Sequence, residues 1–482
     1  MCGTSSGAGK STVVTGLCRL LFREGRSVAP FKAQNMSNQS AVTADGAEIG
    51  RAQFAQALAA GAVPEAAMNP VLLKPTGERT SQVVVLGRAV GTTDAWGWGD
   101  HSKGAPSLLP VVGEALASLR ARFDVVVAEG AGSPAELNLL DRDIANLPLA
   151  VSAGLPAVLV ADIDRGGVFA SVAGTFAVLP RPLRARIRAV IVNKLRGDPE
   201  LFGRGGVETL ERVAGVPVLG VLPWLDGHLP DEEDSLDLGR VVTSDDVPGA
   251  DLPLLDVAVV RFPRIANATD LDAVHAEPAV RVRYVTGAHD LGAPHLVVLP
   301  GTKATVADLA WLRARQLDHA LFDLVARGRT TVLGICGGLQ MLGKAVTDDG
   351  VESGSGTVLG LDQLAVSTTF GAGKVVRTVR GTVLDRAVSG YELRHGEVVP
   401  EEILHRSDDG RWWGTSVHGI LDADGFRSAF LTVVADQAGL GCQASGVVWA
   451  DRRRAHHDRL ADWLAGHLDI GRLASIIADG AT

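Results

Sequence analysis

Apolar residues along this chain fall into short runs separated by glycine-rich or polar turns, and most runs are followed by a stretch of helical period. Val83–Leu86, Asp124–Ala128, Ala157–Asp162, Ala189–Val192 and Val218–Leu222 read as buried strands of one unit. Leu255–Val260, Val280–Tyr284, Leu296–Leu299 and Thr331–Ile335 read as strands of a second. Near-continuous apolar runs of this length are the mark of parallel strands covered on both faces. Helical spacing follows in Val13, Val14, Leu17, Leu20 and Leu21, in the stretch before Arg122, in Thr305–Leu312 and Leu317–Val325, and in Gly337–Lys344. Strands alternating with helices predict an α/β fold with two doubly wound domains.

Breaks in this pattern divide the chain. Asp231–Leu252 is acidic and weakly periodic and reads as a linker. The expected organisation is a first domain over 1–238, a linker over 239–251, a second domain over 252–438 and a C-terminal helical extension over 439–482. Ser27–Ser40 begins strand-like and is expected to become a polar loop; GTTDAWGWGD, after Leu86, reads as another loop.

Composition narrows the function classes. A net charge of −9 argues against a general nucleic-acid binder, which must neutralise phosphates with Lys and Arg. The four cysteines, Cys2, Cys18, Cys336 and Cys442, have no metal-type spacing. No apolar run reaches membrane-spanning length and no signal-peptide pattern opens the chain, so no membrane association and a cytoplasmic location are expected.

The chemistry sits where strands end. Cys336 lies at the junction of Thr331–Ile335 and the following helix, flanked by Gly334, Gly337 and Gly338. Glycines allow a tight elbow, and the helix N-terminus favours thiolate over thiol, so Cys336 is a candidate nucleophile rather than a buried structural cysteine. His418, after a short strand, is its candidate base. The turn at Gly301 and the amide of Gly337 are candidate donors to an oxyanion.

The first domain opens with GTSSGAGKST, a glycine-rich loop feeding a helix. Gly7, Gly9 and Thr12 would help hold phosphates, Lys10 would reach the terminal phosphates and Ser11 a Mg²⁺ ion, with Asn193 at the same sheet edge. The spacing is unusual, with five residues between Gly3 and Gly9. Glu129 ends a strand where a metal-binding carboxylate is expected; Asp45 and Glu48 could also serve the metal, or Asp45 could cap a helix. Other polar groups expected at this edge are Lys32, Gln34, Asn35, Ser37, Asp141, Arg142, Asp143, Asp162 and Arg165. Only Met1 and Cys2 precede the phosphate loop, so its strand reads as missing and a gap in the sheet is expected. Met1 is therefore read as an internal residue, with a short apolar segment expected upstream.

The stretches GTSSGAGKST, PFKAQNMSNQSAVTADGAEIGRAQ, EGAGSPAELNLLDRDIAN, LVADIDRGGVFAS, NKLRGDP, PGTKATVADLAWLR, GICGGLQMLG and VHGILD together resemble the cobyric acid synthase family. The resemblance covers nearly the whole chain. It implies a P-loop amidoligase domain related to dethiobiotin synthetase, followed by a class I glutamine amidotransferase domain with Cys336 as nucleophile and His418 as its base. It also implies ATP and Mg²⁺ as cofactors, glutamine as nitrogen donor, and a corrinoid substrate held by the polar residues from Lys32 to Arg165 named above. The implied reaction is amidation of the b, d, e and g carboxylates of adenosylcobyrinic acid a,c-diamide. Many related glutaminases carry Glu two residues after the histidine; here Ile420 stands there, and the group orienting His418 is unassigned. The rival families are cobyrinic acid a,c-diamide synthase, against which PFKAQNMSNQS argues, and a P-loop regulatory ATPase with an inert amidotransferase-like module. The latter carries an extra lysine early in its loop, and Gly3–Gly9 has none.

Overall fold

The structure, a computed structural model, describes residues 1–76, 80–94, 107–198, 202–225, 254–352, 356–441 and 446–480. The whole of the expected linker therefore lies outside the described residues, as do the AWGWGD residues of the expected loop after Leu86.

In the first domain Ala157–Asp162, Ile187–Leu195 and Val218–Pro223 form parallel neighbours. The expected gap beside them is filled: Cys2–Gly3 pairs in parallel with Leu159 and Val160. On its other side the Met1 amino group donates to Ala128 O (2.6 Å), and Gly130 N–H donates to Met1 O (2.8 Å). Those bonds join the parallel pair Val28–Phe31 and Val125–Ala128 to the same layer. Backbone bonds on both sides fix these residues in the layer.

The second domain is built on a sheet ordered Val280–Val285, Leu255–Val260, Leu296–Leu299, Thr331–Ile335, Trp412–Thr415 and His405–Arg406, antiparallel only at the last pair. Its apolar strands are buried on both faces, as their near-continuous hydrophobicity requires.

Two expectations about loops are corrected. The polar stretch after Phe31 does not sit in solvent: Gln34–Met36 and Ser40–Val42 are strands, and Lys32, Asn35, Ser37, Gln39 and Ser40 are buried. Gly91–Asp94 likewise belongs to the strand Arg88–Asp94. The polar stretch is covered by a long hairpin of the second domain, Ser367–Val383 with Arg386–Val399. From that hairpin Val376, Tyr391 and Leu393 share a core with Ala41, Val42, Ile49, Val71 and Val83 of the first domain.

The C-terminal segment is helical, as expected, yet it completes the first domain. Trp449–His467 packs along the phosphate-loop helix Lys10–Arg23, closing on Gly16, where an added side chain would collide with Leu464. Leu468 bridges to Gly220 and Asp469 N–H donates to Leu219 O. Leu464, Leu468, Leu473 and Ile476 lie in one core with Val13, Leu17 and Val160. The ion pairs Arg19–Asp458 and Arg23–Asp462, both 2.8 Å, are partly exposed and add little beside that burial.

Leu464→Ala should therefore destabilise the first domain by about 2–5 kcal/mol, the usual cost of emptying a buried leucine site. Hydrogen exchange should show lost protection in Lys10–Arg23, while Arg454→Ala on the exposed face should change it little. Protection unaltered in Leu464→Ala would separate this helix from the first domain's stability.

Candidate active site

The thiol is set by backbone sterics. Thr331–Ile335 is fully buried and parallel to Leu296–Leu299, and the helix Gly337–Leu342 turns back across that pair. A Cβ on Gly338 would lie 1.9 Å from Leu299 O, so only glycine permits the approach. Between strand and helix Cys336 takes φ +51°, ψ −103°, a region an L-residue occupies only when its surroundings force it. Its Sγ faces a cavity also lined by Lys74, Gly301, Lys303, Gln340, Lys374 and His418. Gly337 begins the helix directly after the thiol.

His418 is almost wholly buried and lines the same cavity as Cys336. Its ring stacks on Tyr391 (centroids 5.4 Å apart), and the two residues exchange both backbone hydrogen bonds. Nδ1 lies 2.7 Å from Asp270 Oδ2, while Asp270 Oδ1 accepts from Gly419 N–H at 2.8 Å. Burial pulls the imidazole pKa down, but negative charge on Asp270 and on the Cys336 sulfur outweighs it and pushes it up to about 10. The result is an imidazolium beside the Cys336 sulfur, oriented by a carboxylate: the arrangement of a nucleophile, its base and the base's orienting group.

In the first domain the centre is Glu129, at the end of Val125–Ala128. Its Oε1 accepts from Ser11 Oγ (2.7 Å) and Lys32 Nζ (2.9 Å), and its Oε2 from Gln56 Nε2 (2.6 Å). Burial would raise its pKa, yet Lys32 and the three hydrogen bonds hold it below the ordinary carboxylate value. Lys10 Nζ donates to the carbonyls of Ser5, Ser6 and Gly132. Gly9, at φ +89°, starts the helix where a Cβ would meet Asn193 Nδ2 at 2.2 Å; that amide braces the loop through Ala8 O (2.9 Å). A carboxylate and a hydroxyl beside a glycine-rich loop form the donor set a phosphate-bound Mg²⁺ takes.

Comparison with known proteins covers both domains. Residues 1–235 match the CobQ/CobB/MinD/ParA nucleotide binding domain, and residues 256–426 the CobB/CobQ-like glutamine amidotransferase domain. A cobyric acid synthase of Frankia casuarinae is 47% identical over 99% of this chain and 96% of its own length. Those of Nocardia farcinica and Mycobacterium ulcerans are each 48% identical over the same shares. The chain belongs to the cobyric acid synthase family. Its nucleotide-binding domain implies ATP binding, and its second domain is a glutamine amidotransferase. Among the described residues no helix is long and apolar enough to cross a membrane.

Within this family framework the structure brings together Cys336, His418 and Gly301 in one place, and Lys10, Ser11, Glu129 and Lys32 in another, with Gly7, Gly9, Thr12 and Asn193 in or against the phosphate loop. It does not bring Asp45 to the metal site. Asp45 is exposed in the turn between Ser40–Val42 and Glu48–Gly50, accepting from Thr43 Oγ1, and it caps no helix, since Arg51–Ala59 begins at Gly50. Glu48 is also withdrawn from metal: Lys74 and Lys374 both pair with it in the buried interface. Of the substrate candidates, Lys32, Asn35 and Ser37 are engaged internally, Asn35 with Gln53 and Ser37 with the Gln39 N–H. Gln34 is half-buried in its strand. Asp143 caps Ala145 and Asn146, and Asp162 accepts from Asp164 N–H and faces Lys194 at 3.4 Å. Arg142 is half-buried, while Asp141 and Arg165 are exposed. Sequence reading missed Asp270. It lies in a single short helical turn, and its contact with His418 spans 148 positions, so no local pattern marks it.

Asp270→Asn should lower glutamine-dependent turnover by about 10²–10⁴ through loss of tautomer and orientation. Because the carboxylate raises the imidazole pKa, the imidazolium persists through neutral pH and is lost only as pH rises towards about 10. The pH profile of glutamine hydrolysis in the variant should lose its alkaline limb at lower pH. A limb that stays in place would show that Asp270 does not set the charge on His418.

Proposed function

We propose that this chain amidates the b, d, e and g carboxylates of adenosylcobyrinic acid a,c-diamide, taking nitrogen from glutamine at Cys336 and energy from ATP at the phosphate loop. The observation that carries the reading is the pairing, in one chain, of a Cys336–His418–Asp270 set with a Ser11–Glu129–Lys32 set on a separate sheet.

At the second domain, Cys336 Sγ attacks the side-chain carbonyl carbon of glutamine, and the developing oxyanion is met by backbone N–H groups at Gly301 and Gly337. His418 gives its proton to the departing nitrogen, which leaves as ammonia, and a thioester remains. Water then attacks the thioester carbon, His418 accepts its proton, and glutamate departs with the thiolate restored.

In the first domain a carboxylate must be made electrophilic before ammonia can displace an oxygen. ATP supplies the phosphoryl group for this, and Mg²⁺ would supply positive charge at Ser11 and Glu129. Lys10 neutralises charge on the transferring group, and the loop amides hold the phosphates in line. Arg165 and Asp141 of this domain are exposed, as are the apolar Met36, Leu137 and Leu139. A ring with an apolar body and carboxylate arms suits such a mixed surface. Catalysis in the cytoplasm accords with this chemistry.

Cys336→Ser should abolish glutamine-dependent amidation and leave the ammonium-dependent reaction near its original rate. Lys10→Ala should lower amidation from either nitrogen source by about a hundredfold or more while glutamine hydrolysis persists. Mass spectrometry of the corrinoid product, with glutamate release measured in parallel, reads both. Loss of ammonium-dependent amidation in a folded Cys336→Ser protein, or full amidation by Lys10→Ala, would sink the reading.

A further inference from the structure

A second cavity, of about 680 Å³, lies in the first domain away from both sites described above. Ile187 and Arg188, which open the strand Ile187–Leu195, and Pro217, just ahead of Val218–Pro223, are on its wall. Asn193, which braces the phosphate loop, stands six residues along that same strand from Ile187, about 20 Å away at the usual rise per residue. The cavity therefore sits at the amino ends of these parallel strands and the phosphate loop at their carboxyl ends.

Its floor is apolar: Phe176, Ile187 and Ile476 are buried side chains that line it. Four arginines surround that floor. Arg181 and Arg184 are three positions apart in the short helix Arg181–Arg184, Arg188 is on the strand, and Arg472 is on the C-terminal helix Ile470–Asp479. Asp479 is the one acidic residue of the lining among the described residues, and it pairs with Arg188 at 3.0 Å. Arg472 faces Asp469 at 3.7 Å, and Arg184 donates to the Phe176 carbonyl at 3.0 Å. Among the described residues neither Arg181 nor Arg184 has an acidic partner. In a chain of net charge −9, the lining of this recess thus sets four arginines against one aspartate.

An arginine in open solvent needs no partner. Arginines around an apolar recess differ, because the apolar body of a ligand gains by leaving water there while the guanidinium groups fix its polar end. A guanidinium meets two oxygens of a phosphate or carboxylate at once, and its face stacks on a ring. The volume falls in the range of pockets that enclose small organic ligands. We propose that this cavity binds a small ring-bearing polyanion, with the size and charge of a nucleoside diphosphate, between the Arg181–Arg184 helix and the C-terminal helix. The inference goes beyond the function proposed above and involves neither Cys336 nor Lys10. A ligand held by both walls ties Ile470–Asp479 to the strand layer, and binding to the folded form alone adds stability.

The test uses the full chain and ADP without Mg²⁺ as probe, with bound equivalents counted by equilibrium dialysis and hydrogen exchange followed in Ile470–Asp479. The wild type is expected to bind two equivalents. Lys10→Ala should weaken one of them, and Arg181→Glu the other by about tenfold or more, the loss that goes with a hydrogen bond to a charged group. Arg184→Ala, which also gives up the bond to the Phe176 carbonyl, serves as the second variant. ADP should slow exchange across Ile470–Asp479 in Lys10→Ala and not in Arg181→Glu, while amidation by Arg181→Glu stays at the wild-type rate. Adenosine and pyrophosphate, each carrying half of the recognised chemistry, should displace the second equivalent only at about tenfold higher concentration or more. One equivalent alone in the wild type, or a second equivalent held equally by Arg181→Glu and Arg184→Ala, would overturn the proposal. So would pyrophosphate binding as tightly as ADP, since the apolar floor would then contribute nothing.

Discussion

Charge buried between two sheets must be paired, and this requirement shapes the contact between the domains. Glu48 of the first domain stands between Lys74 of its own domain and Lys374 of the other; burial opposes its charge, but those two cations outweigh burial and hold its pKa well below the ordinary carboxylate value. Lys374 feels the opposite balance. Burial lowers its pKa, Glu48 raises it, and the nearby Lys74 and Lys303 lower it again, to about 7. Removing any one member would strand the others without solvent. The same rule explains why Ser40 and the Tyr391 hydroxyl are bonded across the interface. Polar residues here are structural because water has been excluded from around them.

The two catalytic edges obey a second constraint, that a parallel strand passing into a helix must bring backbone against backbone. At the thiol this is met by Gly338 against Leu299 O, and the unusual torsions of Cys336 are the local cost. At the phosphate loop it is met by Gly9 beside Asn193. In both places the helix N-terminus faces the site where negative charge gathers, on sulfur in one case and on phosphate in the other.

These constraints also separate what could be read in the sequence from what could not. Strands such as Leu255–Val260 and Thr331–Ile335 declared themselves because burial on both faces leaves a continuous apolar run, and the elbow at Cys336 did so because close backbone approach leaves glycines. Gln34–Met36 and Ser40 fall in a stretch that reads as loop because polar residues look solvated until their partners are known; those partners are Val71–Leu73 for the first, and Asn267 and Tyr391 for the second. Asp45 reads as a metal ligand or a helix cap on its carboxylate alone; hairpin geometry, invisible in composition, turns it to solvent. Asp270 takes the role that Ile420 leaves open. The chain supplies that carboxylate from the turn after a different strand, so proximity in sequence carried no hint of it.

The position of the last helices has a consequence for how the molecule is made. Since Trp449–His467 and Ile470–Asp479 belong to the core around Lys10–Arg23, the second domain is, in topological terms, an insertion within the first. A ribosome releases the phosphate loop early and the surface that covers its helix last. The glutamine-hydrolysing unit has all its strands available while the nucleotide-binding unit still exposes an apolar flank around Leu17 and Val13. Order of completion thus runs opposite to order of synthesis, and the first domain closes only when Trp449–His467 and Ile470–Asp479 arrive.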